Sequence, residues 1–312
     1  MIEVEAYNPK WPEIFSGEVN IIKGALGENC VAVHHIGSTS VEGLIAKPKI
    51  DIIVVVKDSS IVTEVFEKLG YTAKGELNLP LRLYFSKDEP HKINLHLFEE
   101  GDARIKLNLM FRDYLRAHPE ACKEYAKLKT ELLAKEESHE KGQYRLTKYT
   151  LGKNKFIKKI LKVTGFDELH VAFCIHYDEW ETVKNFRQKY FFDKKSIKDP
   201  YTWTFDHKDH VHFVLYKGAS VIGYAHLQLW KNGRVALRII VIDELYRTLG
   251  AGKYLLNLCE RWLRQRDVKT LHIQSSPEAL SFYIKHNYVE MPFDDPDGYE
   301  VDSSDIEIGK VL

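Results

Sequence analysis

Apolar positions along this chain change their spacing many times, and each change marks an element. Residues 18–26 repeat at helical spacing, 31–36 is a short β-branched run, and GSTSVEG then turns the chain. Ile50–Val56 (IDIIVVV) is almost continuously apolar, which predicts a strand covered on both faces. A helix over 61–69 ends at Gly70, and strands are predicted at 81–85 and 93–98 with a turn at 87–90. Helical spacing returns over 113–135 and again, as a basic amphipathic helix, over Asn154–Val163. Gly165 stands where a helix C-cap glycine belongs. Beyond it the pattern predicts a strand at 168–175, a helix at 178–190, and strands at 211–216, 221–230 and 234–242. Lys231-Asn232-Gly233 is a strong hairpin signal between the last two. A helix follows Gly252 to about 265, then a strand at 270–274 and a helix at 277–286. Strands near Tyr288 and at Ile306–Val311 complete the order.

This order is α/β in class. At 312 residues the chain is long for one core, and two α+β-type domains, 1–165 and 166–312, are expected. Hydrophobic residues at 44% and charged residues at 29% match an ordinary globular chain, so neither disorder nor a repeat array is expected. The net charge is zero, from 45 basic and 45 acidic side chains, which argues against a nucleic-acid partner. Cys30, Cys122, Cys174 and Cys259 show no metal-ligand spacing, so reduced thiols and no metal site are expected. The N-terminal residues lack the pattern of a signal peptide, and no apolar stretch reaches membrane length. A cytoplasmic protein away from the membrane is therefore expected.

The segment Arg247-Thr248-Leu249-Gly250-Ala251-Gly252 follows an apolar strand and opens an amphipathic helix. Gly250 and Gly252 carry no side chain to keep an anion off the backbone. Free N–H groups of the first turn face such an anion, the helix dipole adds attraction, and Arg247 adds a charge-assisted contact. Further on stand Ala279-Leu280-Ser281-Phe282-Tyr283 and then Asn287-Tyr288. With IIVIDELYRTLGAG, these residues make the chain from about 168 onward resemble the GNAT superfamily of N-acetyltransferases. The resemblance implies a GNAT mixed-sheet fold and acetyl-CoA as acyl donor. It implies that Ile240, Val241 and Ile242 flank the pantetheine arm. Arg247, Leu249, Gly250, Ala251, Gly252 and Lys253 would surround the pyrophosphate, with Ser276 also at the cofactor. Tyr283 is the implied general acid at the leaving thiolate, a modest task because a thiol has a pKa of about 8.5.

An acceptor amine of pKa about 10.4 must still lose a proton. GNAT enzymes often carry a glutamate on the strand before the loop, where this chain has Val235-Ala236-Leu237-Arg238. His226 is the substitute base by location, with Asp206 and His207 as others. The acidic run Asp294, Asp295, Asp297, Glu300, Asp302, Asp305 and Glu307 would concentrate a small cationic amine.

In the first half, His35-Ile36-Gly37-Ser38-Thr39-Ser40-Val41-Glu42-Gly43-Leu44 and Ala46-Lys47-Pro48-Lys49-Ile50-Asp51 resemble the GrpB family. Tyr7-Asn8-Pro9-Lys10-Trp11, Gly70-Tyr71, His96 and Phe111-Arg112-Asp113-Tyr114-Leu115-Arg116 extend the likeness over about 3–163. That family implies a nucleotidyltransferase-like mixed sheet with helices. Active nucleotidyltransferases bind two metals through paired carboxylates. Here Asp51 has Ile53 at the partner position, with Asn94 and His96 on the third strand, so the usual two-metal transfer is not expected. His35, Gly37, Ser38, Ser40, Lys47, Asp51, Arg82 and His96 form an expected polar pocket for a phosphorylated ligand, since Lys47 and Arg82 suit phosphate. The reading is acetyl transfer from acetyl-CoA to a primary amine, with an accessory or ligand-binding first domain. A non-catalytic sensor of CoA or nucleotide-like ligands, and a nucleotidyltransferase acting through Asp51, stand as alternatives.

Overall fold

A computed structural model describes residues 3–135, 137, 140, 146–298 and 302–312, and they fall into two units, Met1–His170 and Val171–Leu312. Helix α1 (Trp11–Leu26) starts earlier than the apolar spacing predicts. Pro12 sits in its first turn, where a missing N–H leaves no bond unmade. Then come β1 (Cys30–Ile36), β2 (Ile50–Val56), α2 (Val62–Lys68), β3 (Thr72–Ala73), β4 (Leu83–Lys87) and β5 (Ile93–Glu99). The sheet order is β1-β2-β5-β4-β3, with β2 and β5 parallel and the other pairs antiparallel. The IDIIVVV strand is covered twice. Ile52, Val54 and Val56 pack with Trp11, Ile22 and Phe66, while Ile53 and Val55 pack with Ile36 and Phe98 on the other face. Its register sets Asp51 beside Asn94 on β5, and His96 beside Tyr84 on β4.

The helical stretch expected over 113–135 is two helices, α3 (Ala103–Ala117) and α4 (Pro119–Leu133). Pro119 lacks the N–H that would continue α3 and instead opens α4. Asp102 caps α3 by accepting from the Arg104 amide. Helices α5 (Lys148–Leu151) and α6 (Asn154–Val163) follow, and Gly165 has φ +71°, as a residue past a helix end requires.

The second sheet is built from β6 (Leu169–Phe173), β7 (His210–Lys217), β8 (Ser220–Leu229), β9 (Arg234–Ile242), β10 (Thr270–Ser275), β11 (Val289–Glu290) and β12 (Ile306–Val311). Between its strands lie α7 (Tyr177–Arg187), α8 (Ala251–Arg264) and α9 (Pro277–Ile284). A π-helical turn at Gln188–Phe192 extends α7. The order is β11-β12-β10-β9-β8-β7-β6. Strands β9 and β10 run parallel and pair only from Thr270↔Arg234 to His272↔Ala236. Past that point each stays paired on its outer side, β9 with β8 to Ile242 and β10 with β12 to Ser275. The two inner edges therefore part, leaving a wedge in which neither edge has a strand partner among the described residues. Where His226 opposes Ile239 and Leu227 opposes Leu237, Arg238 is the extra residue of a β-bulge. No helix among the described residues is long and apolar enough to cross a membrane.

Because both faces of β2 are buried, Ile52→Ala and Ile53→Ala are each expected to lower stability by roughly 2–5 kcal/mol. Chemical denaturation measures this, and a neutral Ile53→Ala would mean that its face is open.

Candidate functional site

The loop from β9 into α8 is shaped by its own backbone. Asp243 accepts from the Leu245 amide (3.0 Å), and the Arg247 Nε donates to the Ile242 carbonyl (3.0 Å). That bond points the Arg247 guanidinium over the Tyr190 ring, 5.0 Å from its centre. Gly250 is the α8 N-cap with φ +80°, and a Cβ built there would meet no atom within 4 Å. The position is thus an open cradle that only glycine enters without strain. The Tyr254 amide bonds to the Gly250 carbonyl (3.0 Å), so the amides of Ala251, Gly252 and Lys253 precede that bond at the positive end of the helix. Ile240 is half-buried, Val241, Ile242 and Ala251 are buried, and Leu249 and Lys253 are exposed.

A cavity of about 800 Å³ is lined by Arg187, His210, His226 and Arg238 on one side and by Ser276, Glu278, Asp302 and Asp305 on another. The π-helical turn after α7 adds Tyr190, Phe191 and Phe192 to its wall. Arg187 is 1% exposed and donates to both Asp199 oxygens, at 2.5 and 3.0 Å. Its Nη1 also donates to the Tyr224 hydroxyl and to His226 Nδ1, each at 3.3 Å. Arginine cannot accept, so His226 must carry its proton on Nε2. That Nε2 then donates to His210 Nδ1 at 2.8 Å, which leaves the neutral His210 ring with its N–H on Nε2. Burial, with neighbouring His212, Arg187, His210 and Arg238, holds His226 well below the usual histidine range. Both His226 nitrogens are engaged, so it offers no lone pair to a substrate amine, and the expectation that it is the base is corrected on that ground.

Of the other substitutes, Asp206 and His207 are both exposed, and neither lines the cavity. Arg238 stands in place of the strand glutamate. It pairs with Asp295 at 2.7 Å and donates to Gln228 (2.7 Å), whose amide donates in turn to Asp297. Two carboxylates of the acidic run are thereby spent on the fold. Asp302 and Asp305 reach the cavity, and Glu300 lies outside the described residues. Burial, then the Asp302 charge, pushes the Asp305 carboxyl up. Tyr283 is 5% exposed, and no described residue hydrogen-bonds its hydroxyl. Burial raises its pKa, so the phenol stays protonated at neutral pH.

In the first unit, Asp51 accepts from the Asn94 amide (2.8 Å), and its Oδ1 lies 3.9 Å from His96 Nε2. Arg82 Nη1 donates to His96 Nδ1 (3.1 Å), which puts the His96 proton on the nitrogen facing Asp51. Desolvation pushes Asp51 up, but the neighbouring His96 ring, the hydrogen bond from Asn94 and the Lys153 charge outweigh it and hold the carboxyl low. Gly37 has φ +69°, and a Cβ there would overlap the Asp51 carboxylate, so the turn needs glycine. Arg116 clamps the Ser40 carbonyl at 2.9 and 2.6 Å, Ser40 bonds back to Gly37, and His35 Nε2 meets the Thr39 hydroxyl at 3.0 Å. Arg82, 4% exposed, is turned inward onto the Glu76 carbonyl and the Asn78 side chain, so it is not placed to meet a phosphate as its charge alone suggests. Two cations that the sequence reading missed, Lys129 and Lys153, join Lys47 near Asp51. They lie on α4 and just before α6, and no local motif marks them. Among the described residues, no group of three or more His, Cys, Asp or Glu side chains could hold a metal ion.

A family model described as GrpB protein matches residues 1–163. The chain belongs to the GrpB family. The acetyltransferase (GNAT) family model matches residues 179–288, so a GrpB domain and a GNAT domain are fused in one chain. The protein YqkA of Bacillus subtilis is 39% identical over 161 residues, spanning 50% of this chain and 45% of YqkA itself. The match thus covers less than half of that relative's length. A crystal structure of the conserved protein GrpB from Enterococcus faecalis is 36% identical, with a TM-score of 0.45, covering 52% of this chain and 96% of that one. An acetyltransferase of the GNAT family from Staphylococcus aureus is 16% identical, with a TM-score of 0.40, covering 46% of this chain and 99% of that one.

Acid should act on both domains through their buried histidines. Burial lowers His35 in the GrpB domain to about 4, and His210 and His212 in the GNAT domain to about 4 and about 3, against 6.5 for the free side chain. Below pH 6.5 the unfolded chain takes up protons that the folded chain refuses, so stability is full above 6.5 and is lost as pH falls toward 4. Thermal melts at pH 7 and pH 5 are expected to show a clear drop, smaller when His210 is replaced by Gln.

Proposed function

We propose that this protein transfers an acetyl group from acetyl-CoA to a primary amine at the wedge between β9 and β10. One observation carries the reading: the parted strands end above an α8 N-terminus whose Gly250 cradle is open and whose first amides lie at the positive end of the helix. The GNAT family match over 179–288 supports it. In this reading the amides of Ala251–Lys253 and the Arg247 guanidinium hold the pyrophosphate. The free β9 edge at Ile240–Ile242 pairs with the amides of the pantetheine arm as an added strand would. Acetyl-CoA supplies a thioester whose acyl carbon passes to the amine nitrogen as the C–S bond breaks.

The chain's own groups then manage charge. Tyr283, kept protonated by burial, donates its hydroxyl proton to the departing sulfur. Glu278 and Asp305 attract a cationic amine to the cavity, where Lys195 already pairs with Asp302 at 3.7 Å, and the raised Asp305 carboxyl takes the proton that the amine loses. The inward Arg187–His226–His210 chain presents an N–H to the cavity and orients the acceptor.

Calorimetry is expected to detect acetyl-CoA binding that Gly250→Glu weakens by roughly a hundredfold, because a carboxylate would occupy the anion cradle. Unchanged affinity in that variant would overturn the reading. Thiol-release assays on an amine panel should show Tyr283→Phe lowering kcat by about a hundredfold while leaving the acetyl-CoA KM nearly unchanged.

A further inference from the structure

One aromatic ring serves two sites in the GNAT domain. Tyr190 lies in the π-helical turn Gln188–Phe192, a rare geometry that concentrates at functional sites, and it lines the acceptor cavity with Phe191 and Phe192. The same residue holds the loop from β9 into α8. Its hydroxyl accepts from the Glu244 amide at 3.2 Å, and its ring centre is 5.0 Å from the Arg247 guanidinium carbon. Beside it, Lys189 pairs with the Glu244 carboxylate at 2.7 Å, which leaves that carboxylate with Lys189 and not with Arg247. Arg247 is exposed, yet it is anchored twice. Its Nε donates to the Ile242 carbonyl at 3.0 Å, and its guanidinium lies over the ring. Among the described residues no carboxylate pairs with Arg247, and its two Nη groups have no hydrogen-bond acceptor.

We propose that Tyr190 is a positioning residue that presents Arg247 to the pyrophosphate of acetyl-CoA and couples that site to the acceptor cavity. The inference rests on the acetyl-transfer reading and adds to it a residue that touches no reacting atom. An aromatic face fixes a guanidinium without neutralising it, whereas a carboxylate in the same place would compete with the phosphates. A long side chain held at Nε and over a ring has also lost most of its rotamer freedom before the anion arrives, so that entropic cost no longer falls on binding. The two Nη groups left over are the ones that suit a bidentate contact with phosphate oxygens. Through the Glu244 amide, the Tyr190 hydroxyl also fixes the start of the loop whose far end is the Gly250 cradle. Coupling follows from the shared ring. A cofactor that locks Arg247 and its loop also holds Tyr190, and with it the π-helical turn of the cavity wall, so the amine meets an ordered surface. By linkage, the amine strengthens acetyl-CoA binding by the same factor.

Calorimetry on the full chain, titrating acetyl-CoA, tests the assignment through a double-mutant cycle. Tyr190→Leu and Arg247→Gln are each expected to weaken binding about tenfold, and the double variant to stay within about twofold of Arg247→Gln alone, because the ring acts through the guanidinium. Tyr190→Phe keeps the ring and is expected to lose about twofold, from the Glu244 amide left to solvent. Tyr190→Met fills the space without a π face and replaces Tyr190→Leu if that variant does not fold. With an amine that the thiol-release panel finds, Tyr190→Leu should raise the KM of both substrates several-fold and change kcat by less than about twofold. Additive losses in the double variant, unchanged affinity in Tyr190→Leu, or a Tyr190→Phe loss as large as that of Tyr190→Leu would overturn the proposal. So would a fall in kcat with both KM values unchanged. A parent chain that binds no acetyl-CoA, or binding indifferent to Gly250→Glu, would instead overturn the acetyl-transfer reading itself.

Discussion

Arg187 is enclosed almost completely, and a guanidinium so placed is tolerable only because Asp199 meets it at two nitrogens. Much of the cavity wall in the GNAT domain depends on that pair. With Asp199 taking Nε and Nη2, Nη1 remains for Tyr224 and His226, and its direction sets the proton positions of two histidines in series. His226 becomes a connector with no lone pair to spare, and His210 keeps its N–H on Nε2. Below them the bulge at Arg238 presents a cation where related enzymes often carry a glutamate, and Asp295 neutralises it. Glu278, Asp302 and Asp305 also line the cavity, together with Lys194 and Lys195, and Lys195 pairs with Asp302.

The GrpB domain meets the same constraint differently. Arg104 is matched by Asp102, and Lys87 by Glu18. Lys47, Lys129 and Lys153 are matched by nothing so direct, and cation–π contacts with Tyr149 and Tyr125 replace the missing anions. An aromatic face stabilises a cation less than a carboxylate does, which is why the ammonium groups there hold their protons weakly. Buried Arg82 is another such cation, held by the Glu76 carbonyl, the Asn78 side chain and His96 and by no carboxylate.

Strand geometry does the remaining positioning. The wedge exists because β9 and β10 keep their outer partners while their mutual pairing stops at Ala236 and His272. An inner edge without a strand partner is rare, since its backbone groups must be satisfied in some other way. The α8 N-terminus with its left-handed Gly250 is joined to the end of β9 by one short loop with a 3₁₀ turn at Glu244–Tyr246.

Much of this was legible in the sequence. The run IDIIVVV determined a strand covered on both faces, because periodicity reports directly which sides of an element avoid water. Gly165 marked a helix end and Gly250 a place where an anion could reach the backbone, and the segments around Gly250 and Ser38 carried the two family resemblances. The start of α3 was missed because Arg104, Lys106 and Asn108 interrupt its apolar spacing, and Arg104 is buried against Asp102, the Pro80 carbonyl and the Phe98 ring. Tertiary structure alone decided which charges meet: Arg187 with Asp199, Arg238 with Asp295, Arg82 turned inward, and Lys129 and Lys153 brought to Asp51 from far along the chain. Periodicity is a local property of the sequence, whereas the state of a charge depends on its desolvation and on partners supplied by distant segments.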